Sequence, residues 1–258
     1  DMARLSDSSI GGLITSVRRG RASPDSTLIG QQFLPGGGFG PFDFGSNTTG
    51  TLQDGGDGIN TAIYQPITRP LERATIYAGL DVDLGDNVRY YLNGSYGWTG
   101  SSNAATAFHS GRYGFTVRDG NPFLPAAMQQ QMDDEGLSSI RVQRYDTEYD
   151  MVVDVDNHNR RVEMGFEFDF GGSWVLDVSG QLGANTETAL NHNNFIPDLY
   201  AQGIDSVDVN GTIVCRDQSN GCVPINPFGF GSYTDAMIDF FTGTSFLETK
   251  VRQEIVTL

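Results

Sequence analysis

A chain of 258 residues with 32 acidic against 16 basic side chains carries a formal net charge of -16. That balance excludes a nucleic-acid partner, because phosphate backbones reward clustered Lys and Arg. Aromatic residues at 11% exclude a disordered chain, and no window approaches the roughly 18 consecutive apolar residues of a transmembrane helix.

Taken in chain order, the N-terminus DMARLSDSSIGG lacks the basic and then apolar regions of a signal peptide. Gly12–Arg18 reads as a weak strand. Gly30–Gly58 is a glycine-rich loop carrying Phe33, Phe39, Phe42 and Phe44, and Ile59–Gln65 is a second weak strand. The strongest local signal follows, a hairpin over Ala74–Thr99. Ile76, Ala78, Leu80, Val82 and Leu84 fall on one face, while Tyr77, Gly79, Asp81 and Asp83 fall on the other. Gly85-Asp86-Asn87 supplies residues that tolerate positive φ in a tight turn. Alternation then resumes through Val88, Tyr90, Leu92, Gly94, Tyr96 and Trp98.

A long irregular stretch, Gly100–Gly136, is expected to hold a helix over Leu124–Asp134, with Pro125 near its first turn and Gly136 past its end. Ser139–Tyr149 is a less distinct strand. The hairpin plan then recurs over Arg161–Gly183. Val162, Met164, Phe166, Phe168 and Phe170 precede a Gly171-Gly172-Ser173 turn, and Trp174, Leu176, Val178, Gly180 and Leu182 follow it. Ala184–Ser245 is the second long stretch, with a helix over Asp235–Phe241 capped by Ser232 or Thr234 and stopped at Gly243. Thr249–Thr257 alternates weakly, and KVRQEIVTL stops without a closing turn, so the chain reads as an internal fragment.

Short turns at one end of these ribbons and loops of tens of residues at the other (approximately 19–58, 100–138 and 184–246) match the asymmetry of an outer-membrane barrel. The fold class expected is all-β, an antiparallel meander forming part of a large transmembrane β-barrel, with short helices in long extracellular loops. A barrel strand needs only one apolar face, so a mean hydropathy of -0.29 is no obstacle. Tyr90, Phe170 and Trp174 lie beside the short turns, with Tyr96 and Trp98 toward the long loops, where rings with a polar edge favour the water–lipid interfaces. The competing architecture is a soluble sandwich, in which the apolar face packs on a second sheet.

Chemistry-bearing residues are sparse. Cys215 and Cys222, in CRDQSNGC, are either buried thiols, half of a metal site, or a local disulfide; the glycine-, asparagine- and serine-rich loop between them makes the structural disulfide the better reading and implies an oxidising compartment. His109, His158 and His192 lack zinc-ligand spacing. Nothing resembles a nucleophile elbow around His109, so no catalytic residue, metal ligand or cofactor is expected and the chain is read as a non-enzyme. Asp54–Gly58 and Asp133, Asp134 and Glu135 lack the spacing of an EF-hand and read as solvated turn charges. Asp146, Glu148, Asp150, Asp154 and Asp156 read as a hydrated acidic rim. The aromatic and amide-rich stretches Phe33–Phe44 and Asn191–Phe195 offer stacking and hydrogen bonding to a ligand, though such rings also pack loops internally.

Two runs resemble outer-loop signatures of TonB-dependent receptors: NPFLPAAMQQQM (Asn121–Met132) and CRDQSNGCVPINPFGFGSYTDAMIDFF (Cys215–Phe241). The hairpins PLERATIYAGLDVDLGDNVRYYLNGSYGW and RRVEMGFEFDFGGSWVLDVSGQLG look like strands of the same family. The resemblance implies a Gram-negative outer-membrane barrel of about twenty-two strands with a plug. It also implies capture of a nutrient ligand, such as a ferric siderophore or oligosaccharide, by extracellular loops, and force supplied by the TonB complex through parts absent from this chain. Residues 1–258 then form a partial barrel in contact with outer-membrane lipid.

Overall fold

The computed structural model describes residues 3–64, 66–105 and 114–258. Six short strands come first: β1 (Ala3–Leu5), β2 (Leu13–Arg18), β3 (Gln31–Phe33), β4 (Phe39–Pro41), β5 (Ser46–Thr49) and β6 (Leu52–Asp54). The long hairpin β7 (Leu71–Gly85) and β8 (Val88–Ala105) follows, then β9 (Phe115–Arg118), α1 (Ala126–Glu135) and β10 (Ser139–Gln143). A second long hairpin, β11 (Met151–Asp169) and β12 (Val175–Phe195), leads to α2 (Pro197–Ile204), β13 (Ser206–Val209), β14 (Thr212–Cys215), α3 (Asp235–Phe241) and β15 (Thr242–Thr257).

The described chain is mostly β and its sheets are antiparallel. They are separate sheets, ordered β1-β6-β5, β4-β3-β2-β10-β9, β15-β12-β11-β8-β7 and β13-β14, and no closed barrel forms among the described residues. The chain divides into two compact units that alternate along the sequence. One comprises Asp1–Pro66, Ala104–Met151 and His192–Thr244; the other comprises Ile67–Asn103, Val152–Asn191 and Ser245–Leu258.

The first unit corrects the expectation of irregular loops. Its core gathers Ile14 and Val17 from β2, Phe33 from β3, Val117 from β9, Met128 and Met132 from α1, and Ile140 and Val142 from β10. Each such side chain contributes about 1.5–3 kcal/mol by leaving water. The strands β2 and β10, read from sequence as members of the barrel meander, pair with each other here, Ile140 against Val17 and Gln143 against Leu13. Their apolar residues are buried in this core, so they belong to a sheet separate from the long hairpins. The expected strand at Ile59–Gln65 is a 3-10 turn over Thr61–Tyr64; Asn60 Oδ1 accepts the Ala62 N–H at 3.0 Å, and that local bond competes with strand pairing. Gln65 lies outside the described residues.

Both expected helices are present. Met128 and Met132, four residues apart, put one face of α1 into the core, and Gly136 at φ 62° closes it by donating to the carbonyls of Asp133 and Met132. In α3, Thr234 accepts the Met237 N–H through its side chain. The helix α2 was not expected from the sequence; Pro197 opens it and it buries Tyr200 and Ile204.

The second unit is one five-stranded sheet. Its strands are long, β8 of 18 residues, β11 of 19 and β12 of 21. The tight turns at Gly85–Asn87 and Gly171–Ser173 lie where expected, with Gly171 at φ 84° and Gly172 at φ 70°.

Candidate functional site

The second unit is chemically two-faced. In the register of β7 against β8, Ile76 faces Tyr96, Ala78 faces Gly94, Leu80 faces Leu92 and Val82 faces Tyr90. The intervening pairs, Tyr77 with Ser95, Gly79 with Asn93, Asp81 with Tyr91 and Asp83 with Arg89, occupy the opposite face. The apolar face continues onto β11, where the Phe166 ring lies 5.1 Å from Tyr90 and stacks along its own strand toward Phe168 and Phe170. This face is uncovered, with Ile76 69%, Leu80 50% and Trp174 78% exposed.

Aromatic rings bracket the apolar band. Tyr90, Phe170 and Trp174 lie toward the tight turns. At the other end, the Trp98 indole N–H donates to Asp156 at 3.0 Å and the Tyr96 hydroxyl lies 2.8 Å from His158 Nδ1. Beyond these rings β8 carries polar side chains on both faces, Ser101, Ser102 and Asn103, whereas β11 carries Met151, Val152, Val153 and Val155 at the same end. The edge strand β15 departs from this division. Asn191 donates to Ser245 at 3.2 Å, and a Cβ built on Gly183 would lie 3.7 Å from the Gln253 Cβ, so both contacts specify one register. In it, Val251 and Ile255 share the polar face with Gln253, while Glu248 and Glu254 fall on the apolar face, level with Thr188 and Leu182, together with the cations Lys250 and Arg252, level with Thr186 and Ala184. They pair with carboxylates along their own strand, Lys250 with Glu248 and Arg252 with Glu254, each at 2.7 Å.

Across the polar face the charges are satisfied locally. Arg89 donates to Asp81 at 3.1 Å, Arg161 to Glu163 at 2.9 Å, and the Tyr91 hydroxyl reaches both Asp177 oxygens at 3.0 Å. The Tyr91 ring crosses Gly165, where a Cβ would lie 2.5 Å from it, so that glycine is needed for the ring to lie there.

The first unit is organised around a buried guanidinium. Arg144 is fully buried; its Nε donates to the Ile10 carbonyl at 3.0 Å, and its Nη1 to the Pro227 carbonyl and the Ser232 hydroxyl at 3.1 Å. Asp146 lies 3.1 Å from Nε, Glu148 accepts from Nη2, and the guanidinium sits 4.1 Å above the Tyr233 ring. The Tyr233 backbone N–H and hydroxyl return bonds to Glu148 and Asp146 at 3.0 and 3.1 Å. Burial works against the Arg144 charge, but Tyr233 and Asp146 outweigh it and hold the group above its ordinary value. Burial pushes the hydroxyls of Tyr149, Tyr200 and Tyr233 upward. This centre ties three distant stretches of chain together and presents no nucleophile beside a base. Its chemistry is that of a fastening. Asp146 and Glu148, expected on a hydrated rim, are thereby corrected to a buried ion cluster.

Two clefts open on the first unit. One, of about 570 Å3, is walled by Ile10, Phe33, Leu34 and Phe230, with Asp57 and Gln32 among its polar groups. The other, of about 460 Å3, has Phe115, Phe195 and Tyr200 as its floor and Arg118, Asp198 and Asp205 among its polar groups. Both match the general make-up of small-molecule sites, apolar walls with a few fixed polar atoms.

The residues singled out in the sequence fall as follows. Cys215 and Cys222 are joined in a disulfide, and no cysteine is free. Asp133, Asp134 and Glu135 form the last turn of α1 and are held by Gln129, Gln130 and Gln131, a correction to their reading as turn charges. Asp57 accepts from Gln32 at 2.6 Å and from the Asp43 N–H at 2.9 Å. Among the described residues no group of His, Cys, Asp and Glu has the geometry to hold a metal ion. Phe33 stacks on Phe228 at 4.2 Å and Phe195 packs 5.1 Å from Tyr200, so these rings serve internal packing. His109 lies outside the described residues.

Comparison with protein-family models, with curated proteins and with solved structures returns no match for this chain.

Proposed function

We propose that this chain is a wall segment and loop region of a TonB-dependent receptor in a Gram-negative outer membrane, working in nutrient uptake. The observation that carries the reading is the uncovered apolar face of the five-stranded sheet, set against a polar face on the same strands. Lipid is the solvent that such a face requires; in water, a contiguous patch of this kind is an aggregation hazard. From Tyr90 to Trp98 the band runs about 26 Å along the strand. At the usual barrel tilt of about 40° that height becomes about 20 Å, close to the roughly 25 Å band of outer-membrane barrels. Long connections leave the strands at the ends opposite the two tight turns, and the sequence resemblance at Asn121–Met132 and Cys215–Phe241 points the same way.

In this reading the polar face lines the passage, the first unit captures the nutrient ligand in its clefts, and the TonB complex acts through parts absent from this chain. The process is binding followed by gated passage, with no bond made or broken. The test is phase partitioning of the purified chain in Triton X-114, with liposome flotation beside it. Recovery in the detergent phase and with floating vesicles is expected. A monodisperse chain recovered from the aqueous phase with no need of detergent overturns the reading.

A further inference from the structure

The cleft of about 570 Å3 on the first unit is assembled from distant stretches of chain. Backbone bonds fasten it. Phe33 donates to the Gly12 carbonyl at 2.9 Å, and Gly229 donates to the Gly11 carbonyl at 3.0 Å. A Cβ on Gly11 would lie 2.0 Å from the Phe33 carbonyl oxygen, so only glycine lets those two segments approach so closely. Leu34, Pro35 and Phe230 line the cleft and are exposed, and the half-buried Tyr64 ring joins them. Exposed apolar groups gathered in a cleft of this size suit a ligand with an apolar body, and the two rings favour an aromatic one.

The polar side of the cleft is arranged around Asp57. Its Oδ2 accepts from Gln32 Nε2 at 2.6 Å and from the Asp43 N–H at 2.9 Å, which fixes the carboxylate. Its Oδ1 accepts no bond among the described residues. Gln32 commits its amide donors to Asp57 and, at 3.5 Å, to the Pro41 carbonyl, so it offers a ligand its own carbonyl oxygen. The other polar side chains of the lining, Ser9, Tyr64 and Thr147, are neutral hydroxyls, and among the described residues that line the cleft Asp57 alone is charged. Two arginines bond to segments of the walls without lining the cleft. Arg4 donates to the carbonyls of Gly56 and Gly58 at 2.6 and 3.5 Å, on either side of Asp57. Arg144, bonded to the Ile10 carbonyl, is held by both Asp146 and Glu148. With Asp43 and Asp57 added, carboxylates outnumber these guanidiniums, and the local field favours a cation. A protonated primary amine brings three donors and no acceptor, which complements the open oxygens of Asp57 and Gln32; a carboxylate ligand brings acceptors alone.

We infer that this cleft binds a small organic cation, a protonated primary amine on an aromatic body, whose ammonium meets Asp57 Oδ1 while its ring lies against Leu34, Pro35 and Phe230. The inference deepens the uptake proposal and rests on it for the clefts as the place of capture. The experiment is calorimetric titration of the full chain in non-ionic detergent micelles, blanked against empty micelles. Three indoles of similar shape serve as probes: cationic tryptamine, neutral tryptophol and anionic indole-3-acetate. Tryptamine is expected to bind, and tryptophol and indole-3-acetate at least tenfold more weakly. Asp57→Asn keeps an oxygen for Gln32 and Asp43 but removes the charge. It is expected to weaken tryptamine at least tenfold and to leave tryptophol unchanged. Phe230→Ala weakens tryptamine severalfold, and Asp198→Asn, in the other cleft, leaves it unchanged. Strand content by circular dichroism checks that the variants fold, and Phe230→Ala, which truncates an exposed ring, carries the test if Asp57→Asn does not. No binding of tryptamine, equal or tighter binding of tryptophol or indole-3-acetate, or full tryptamine affinity in folded Asp57→Asn or Phe230→Ala overturns the inference. Partition of the chain to water with Asp57-dependent tryptamine binding intact removes the membrane reading alone. Detergent-phase recovery without tryptamine binding removes the amine site alone.

Discussion

Arg144 shows how far a single residue can depart from its sequence context. Arg144, Asp146 and Glu148 alternate along the chain like a solvated strand edge, and the acidic residues that follow reinforce that impression. What buries them is remote: the carbonyls of Ile10 and Pro227, which absorb guanidinium donors and are invisible from the local pattern. Replacing one partner of such a buried group leaves the rest uncompensated, so Arg144→Met is expected to destabilise the first unit by about 3–5 kcal/mol. Denaturant unfolding followed by tyrosine fluorescence measures it. Tyr149 behaves in the opposite sense. Its hydroxyl is buried without a hydrogen-bond partner among the described residues, so Tyr149→Phe should be neutral or stabilising by up to about 1 kcal/mol. The same burial sets a pH dependence. Tyr149, Tyr200 and Tyr233 have hydroxyls raised by burial in the folded state, so folded and unfolded chains bind equal protons below about pH 10. Above it the unfolded chain loses protons that the folded chain keeps, and stability falls as pH rises. Melting temperatures between pH 8 and 11 should decline from about pH 10, less steeply in Tyr149→Phe.

Elements with a self-contained signal were the legible ones. The two long hairpins and their turns follow from strict alternation and from glycines at the reversals, and α3 follows from the threonine before it. Thr234→Ala removes the side-chain acceptor of the Met237 N–H and should cost about 1 kcal/mol, read as lowered thermal stability of the first unit. Elements whose identity depends on neighbours were misread. The strands β2 and β10 carry the same alternation as barrel strands, and only their pairing with each other and packing on α1 assign them to a separate sheet. Short strands such as β3 and β4 were lost among glycines because each is three residues long. The Cys215–Cys222 loop was legible through its composition. It is held a second time by Gln202 of α2, which donates to the Asp217 and Ser219 carbonyls at 3.0 and 2.9 Å. Reduction should therefore cost less than the about 2–3 kcal/mol of the loop-entropy model. Hydrogen exchange before and after reduction should show loosening confined to β13, β14 and their loop.

At the scale of the whole molecule, the surroundings of the apolar face determine what a charge on it would cost. Leu80 lies in the middle of that face and is half exposed, with Leu92 opposite. Were the chain a water-soluble protein, Leu80→Arg would be a surface substitution worth about 0.5 kcal/mol or less. Facing lipid, the same arginine must desolvate or deform its surroundings, at a cost of about 2–4 kcal/mol near the bilayer midplane. Ser95→Arg supplies the internal control, since Ser95 lies on the polar face opposite Tyr77 and should tolerate the charge in either environment. Urea unfolding of both variants in micelles, measured against the parent chain, separates the cases. A loss confined to Leu80→Arg is the expected outcome. Equal and small effects of the two substitutions would mean that water bathes both faces, and the division into a lipid side and a passage side would then have no physical basis.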